Sequence, residues 1–194
     1  MTRSFPFRAR DGRAGVVRPA QPPDARACLA IVAEAARERP RTLAIIEDEL
    51  WTIREWKRHR LDWSHRGVWL VAEFDGAVVG QLSCERSNRS VTAHNADLGI
   101  TVAGAARRRG IGRALMLALE AWAHDVGVER LTLGVFTGNE AAIDLYRSLG
   151  YVEEGIERGV VRFPEADIDV IRMAKRVERA PRARDYDEAT DERG

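Results

Sequence analysis

The chain has 194 residues, 45% of them hydrophobic and 31% charged, and its formal net charge is +1; that suits one domain with a sizeable core and argues against a polyanion binder. Two cysteines, Cys28 and Cys84, are too few and too far apart for a disulfide framework or a zinc site, so no metal is expected. With no apolar run long enough to span a membrane and no secretory leader pattern, the expected location is the cytoplasm, away from membranes.

Residues 1–13 are polar and arginine-rich and read as a flexible arm. "AGVVRPA" reads as a first strand. Asp24 follows as an N-cap, and an amphipathic helix through "ARACLAIVAEAARER" must stop near Pro40. "RTLAIIEDEL" is ambiguous, and Thr52 to Leu61 reads as a second helix. "VWLVAEFDGAVVGQLSCER" is two apolar strands around the turn Asp75-Gly76. "HNADLGITV" is a strand with Leu98, Ile100 and Val102 on one face and Asp97, Gly99 and Thr101 on the other. A helix follows, with Ile111, Leu115, Ala118, Trp122 and Val126 on one stripe and Gly127 as its stop. "RLTLGVF" is a strand. "NEAAIDLYRSLG" is a short helix with Ala142, Leu145 and Leu149 inward, ended by Gly150, and "YVEEGI" and "DIDVIRMAK" are the last strands. Residues 178–194 carry mixed charges without apolar periodicity and read as a disordered tail. Residues 14–177 then form one α/β (α+β) domain. Its mixed, largely antiparallel sheet of about six or seven strands carries helices on both faces.

Between the central strand and its helix stands "RRRGIG", Arg107 to Gly112. A helix N-terminus offers unpaired N–H groups and the positive end of the macrodipole, so an anion settles there. Glycine permits close approach and positive φ. The candidate donors are the backbone N–H groups of Arg108, Arg109, Gly110, Ile111, Gly112, Arg113 and Ala114, with the arginine side chains adding charge. A P-loop would need Lys-Ser/Thr after Gly112, and a dinucleotide fingerprint would need glycine at Leu115; both are missing.

Arg107-x-x-Gly110-x-Gly112 resembles the Arg/Gln-x-x-Gly-x-Gly/Ala motif of the GNAT superfamily of acyl-CoA-dependent N-acetyltransferases. "LGITV" is similar to the strand before that motif, and "LTLGVFTGNEAAIDLYRSLGY" to the strand and helix after it. "YVEEGIERG" with "DVIRMAK" resembles the closing strands of a bacterial branch that acetylates protein N-termini and small amines. The detailed resemblance covers about Asp97 to Gly159, and the looser order of elements about Ala14 to Lys175. It implies that the glycine turn holds the pyrophosphate of acetyl-CoA.

Amine acetylation has three needs: a base for the amine proton, donors for the oxyanion, and an acid for the leaving thiolate. Asp97 is the candidate base, directly or through water; its other reading is a solvent-facing strand residue or cap. His94 is a weaker rival. The resemblance implies backbone donors from Ile100, Thr101 and Val102, which requires the neighbouring strand to splay; Gly99 and Gly134 are compatible with that. It also implies Tyr146 as the general acid and Asn139 as a cofactor contact. The alternatives are a packed aromatic for Tyr146 and an N-cap for Asn139. Cys84 has no base beside it in sequence, so direct transfer is expected over a covalent intermediate.

The resemblance implies that the acceptor, a small amine, a protein N-terminus or a lysine, meets residues around Pro40–Trp56 and Glu85–Asn95; in the first segment Glu47, Asp48 and Glu49 could attract a cation. A homodimer is compatible with the sequence. Two rival classes are a catalytically silent acyl-CoA sensor and an Arg107–Arg109 nucleic-acid binder. Tyr146 and Asn139 argue against the first, and near-neutral charge against the second.

Overall fold

The computed structural model describes residues 3–45, 49–63 and 66–178. Its sheet grows from local turns. Asp75 and Gly76 both take positive φ, 53° and 74°, the geometry of a two-residue hairpin turn. They join β3 (Gly67–Phe74) to β4 (Ala77–Arg86). β1 (Phe5–Arg8) and β2 (Ala14–Pro19) precede this hairpin; β5 (Asn95–Val102), β6 (Arg130–Phe136), β7 (Val152–Arg162) and β8 (Asp167–Arg176) follow it. The eight strands lie in the order β1-β2-β3-β4-β5-β6-β8-β7. Among the described strands only β5 and β6 pair parallel, over Asn95–Asp97 and Arg130–Thr132.

The sheet thus has one strand more than expected, and the extra one is β1, inside the segment read as a flexible arm. Phe5 and Phe7 pack on the main core. The Phe7 ring lies over Gly15, where an added Cβ would stand 2.4 Å from it. Four residues with a proline are too short to show a period; the neighbouring strand makes this one. Glu47, Asp48 and residues 179–194, to which the acidic-cluster and tail readings largely refer, lie outside the described residues.

Helices cover both faces. α1 (Ala25–Arg37) and α2 (Ile53–Trp63) close one side, where Cys28 and Trp56 pack on Val71. α3 (Ile111–Val126) and α4 (Glu140–Ser148) close the other, over Leu70, Leu82, Leu98 and Leu133. α3 sits close on β4 because Gly80 has no side chain: a Cβ there would meet Leu115 Cδ1 at 3.2 Å. Its buried face is Ile111, Leu115, Met116, Ala118, Leu119 and Ala123, while Val126 is exposed. The stripe read from the sequence is therefore rotated at its end. In α4 the core face is Ile143, Tyr146 and Leu149. Ala142 and Leu145, expected inward, flank it and line the cleft described below. Asp24 heads α1, but its carboxylate bonds Arg18 at 2.8 and 3.0 Å and the Gln21 N–H instead of the helix.

Candidate active site

Beyond the rung Asp97–Thr132, β5 and β6 separate, though β5 runs on to Val102 and β6 to Phe136. Their outer edges stay occupied: β5 pairs with β4 up to Gly80↔Val102, and β6 with β8 up to Phe136↔Val170. The sheet forks, and the fork opens into a cleft of about 1030 Å³.

Register decides which backbone groups face that cleft. Ala103 N donates to Val79 O and Ser87 N to Asn95 O, so the odd-numbered residues of β5 bond to β4. Antiparallel alternation then turns the N–H groups of Ile100 and Val102 into the fork and that of Thr101 toward Gln81 of β4. Of the three backbone donors expected from the sequence, Thr101 is therefore excluded. The Val102 carbonyl is already taken by Arg107 Nε at 2.9 Å.

At the upper end of β5 the chain makes a 3₁₀ turn, Gly104–Ala106, then takes positive φ at Arg108 (64°) and Gly110 (91°) before α3 starts. Among the described residues the N–H groups of Arg108 to Arg113 make no hydrogen bond. Ala114 N donates to Gly110 O at 3.0 Å and so leaves the donor set. The N–H groups left over stand unpaired among the described residues at the positive end of a sixteen-residue helix, the setting in which an anion settles.

The two glycines serve different ends. Gly110 supplies the left-handed conformation. Gly112 supplies packing: a Cβ there would come within 3.1 Å of Leu145 Cδ2. The arginines also divide. Arg107 binds Glu38 of the α1 C-terminus at 2.6 Å and ties the turn to that helix. It lines the cleft together with Arg108 and Arg113, Arg113 reaching Ser148 Oγ at 3.2 Å. Arg109 turns away, 3.7 Å from Asp11 and over the Phe74 ring. The side chain of Ile111 is core, so only its backbone can serve a ligand. Sequence reasoning missed Arg8 and Arg10, which line this end of the cleft from the segment taken for an arm; Arg10 N is held by Arg109 O at 3.0 Å.

Replacing Gly110 by Val forces a β-branched residue into left-handed backbone, at roughly 1–2 kcal/mol or more. Acetyl-CoA affinity measured by calorimetry is expected to fall about 5–30-fold. Gly112→Ala, which needs only a shift of the Leu145 tip, should fall less. Wild-type affinity and melting temperature in Gly110→Val would remove this turn from the cradle.

The cleft wall from α4 carries Asn139 and Tyr146. Asn139 Oδ1 accepts from Ala142 N at 3.3 Å, so the cap reading holds for its oxygen, and its amide NH2 stays available. Tyr146 is 5% exposed, its hydroxyl has no hydrogen bond among the described residues, and burial pushes its pKa up to about 12. It stays a proton donor at any physiological pH.

Asp97 lies at the apex of the fork. Its Oδ2 accepts from Thr132 Oγ1 at 2.7 Å and from Arg172 Nη2 at 2.8 Å. Thr132 and Arg172 are functional candidates that the sequence hid, because they sit on β6 and β8, 35 and 75 residues away. Gly134 makes room for the arginine: a Cβ there would be 3.1 Å from Arg172 Nη1. Cys84 is fully buried, and burial, then the charges of Asp97 and Glu85, push its thiol pKa up. His94 does not line the cleft. Of the two acceptor segments expected, Thr42, Leu43 and Ala44 line it, while Glu85, Arg86, Ser87, Asn88 and Asn95 line a smaller pocket of about 360 Å³ that shares Asp97 with it; β7 and β8 add Val160, Val161 and Val170 to the main cleft.

The fork leaves strand N–H groups free beside a cleft, and comparison with known proteins gives the class of the chain. The model of the acetyltransferase (GNAT) family matches residues 29–151. The chain belongs to that family. It is 33% identical to a ribosomal-protein-alanine N-acetyltransferase from Brucella melitensis, covering 83% of this chain and 99% of that one with a TM-score of 0.74. It is 39% identical over 87 residues to an L-amino acid N-acetyltransferase of Escherichia coli K12; that match spans 44% of this chain and 54% of the relative. A putative acetyltransferase from Salmonella typhimurium, solved with acetyl-CoA, shares the fold at 23% identity, with a TM-score of 0.75 over 87% of this chain. Among the described residues no helix is long and apolar enough to cross a membrane, and no cluster fit for a metal ion occurs.

Proposed function

We propose that the chain moves an acetyl group from acetyl-CoA to a primary amine by direct attack. The observation that carries this reading is the fork, which leaves the Ile100 and Val102 N–H groups unpaired beside an anion cradle. Pyrophosphate fits the N–H groups of Arg108 to Arg113, with Arg8, Arg10 and Arg113 adding charge. The extended arm of the cofactor then runs along β5 toward Asp97 and bonds Val102 and Ile100. Asn139 contributes its amide from the opposite wall.

The amine enters from the Asp97 side and loses a proton to Oδ1, directly or through water. Its nitrogen attacks the thioester carbon, an N–C bond forms, and the oxyanion is held by strand N–H groups. The C–S bond breaks and the thiolate takes the Tyr146 proton; the nitrogen gives up its second proton, which restores Tyr146 through solvent, and the proton on Asp97 is released. Overall, an ammonium and a thioester give an amide, a thiol and one proton. Cys84, buried and protonated, takes no covalent part. An L-amino acid N-acetyltransferase and a ribosomal-protein-alanine N-acetyltransferase among the relatives support an amino-acid amine as acceptor.

Thiol release from acetyl-CoA with a panel of amines tests the reading; no release with any amine overturns it. In Asp97→Asn, acetyl-CoA affinity should hold and turnover at neutral pH should fall. Raising the pH should restore part of it, because more amine is then deprotonated in solution. A variant whose pH profile parallels wild type removes Asp97 from the proton path.

A further inference from the structure

Resting on the amine-acetylating reading above, we infer that Asp97 and Arg172 together form a receptor for a zwitterion. The acceptor is then a free α-amino acid, its ammonium on Asp97 and its carboxylate on Arg172.

Both residues line the cleft, and both have unspent bonding capacity. Thr132 and Arg172 share Oδ2 of Asp97, so Oδ1 has no partner among the described residues. Arg172 uses only Nη2; Nε and Nη1 have no partner among the described residues. A guanidinium offers five N–H donors in a planar fork that matches a carboxylate. The side chains are 57% and 39% exposed, open enough to receive a ligand. The missing side chain of Gly134 lets the guanidinium lie against β6 and hold its place.

Charge explains the selectivity. A lone Asp97 would draw any ammonium ion. Paired with Arg172 at 2.8 Å, it forms a site of zero net charge with two poles. Such a site gains little from a single charge. It gains most from a ligand whose amine and carboxylate sit one carbon apart and meet the poles in opposite sense. A peptide N-terminus brings the ammonium but a neutral carbonyl, and a lysine side chain brings nothing at that point; each leaves the guanidinium unanswered. Phe136, Val160, Val161 and Val170 line the same cleft and offer apolar surface for an amino-acid side chain. The pair also stands where it must for catalysis. Asp97 is on the last paired rung of β5 and β6, so an amine held there faces the strand edge along which the thioester lies.

The test uses the full chain, acetyl-CoA and four matched acceptors: an α-amino acid, its α-amide, the amine left by decarboxylation, and a short peptide beginning with the same residue. Thiol release should give the amino acid a kcat/KM about tenfold to a hundredfold above the other three, the worth of a charge-assisted hydrogen-bonded contact. In Arg172→Met that ratio should fall to near one, chiefly through KM for the amino acid, and Arg172→Lys should restore part of it. Equal kcat/KM for amino acid and amide in the wild type, or a preference that survives Arg172→Met, would overturn the receptor. Ligand-observed NMR of amino acid and amide on both proteins supplies the same ratio as binding. If no acceptor were turned over, a binding ratio lost in Arg172→Met would uphold the receptor while the acetylation reading fell; a ratio of one would sink both.

Discussion

Tyr146→Phe is expected to lower turnover by roughly 10²–10⁴-fold, the range for one general acid, with acetyl-CoA affinity unchanged. The reason lies in where the hydroxyl is. It sits on a wall of the cleft, 5% exposed and without a hydrogen bond among the described residues, and burial raises its pKa to about 12. The raised value keeps the phenol protonated, so no loss of activity from this group should appear until the medium is strongly alkaline. Removing a hydroxyl that has no hydrogen bond among the described residues costs little stability, and the melting temperature should move little. Activity and stability thus separate in one variant. Stopped-flow thiol release alongside calorimetry measures both. Wild-type turnover in Tyr146→Phe would mean that the thiolate leaves unaided or takes its proton from water.

Leu115→Ala should destabilise the fold by about 2–5 kcal/mol, the cost of deleting a fully buried leucine and leaving a cavity. Leu115 has no exposed surface and fills the space over Gly80, where β4 has no side chain to move into the gap. For a chain of this size the melting temperature should drop by roughly 4–20 °C. α3 also carries the proposed anion cradle on its first turn, so added acetyl-CoA should recover part of the loss. A drop of under 1 °C would mean that α3 does not depend on this contact.

Local chemistry made much of the molecule legible from sequence alone. Asp75-Gly76 determines its hairpin because only a few residue pairs tolerate two successive positive φ values. Gly127 and Gly150 end their helices for the same reason, at φ of 71° and 86°. Alternation along β5 separates Leu98 from Asp97, and the Arg107-to-Gly112 turn reads as a candidate anion site because its signals lie within six consecutive residues.

Tertiary structure decided what depends on neighbours distant in sequence. Four residues around Pro6 become a strand only because β2 offers an edge, and with them Arg8 and Arg10 reach the cleft. Side-chain period places Thr101 on a face of its strand, but the register with β4 takes its N–H out of use. Arg109 and Arg113 read alike in a basic run, yet Asp11 draws one away while the other stays at the cleft. The partners of Asp97 lie 35 and 75 residues along the chain and meet it only where β6 and β8 join the sheet. A carboxylate read alone is a candidate base. Beside Arg172 it becomes one pole of a pair, because charge acts through space and the sequence records only order.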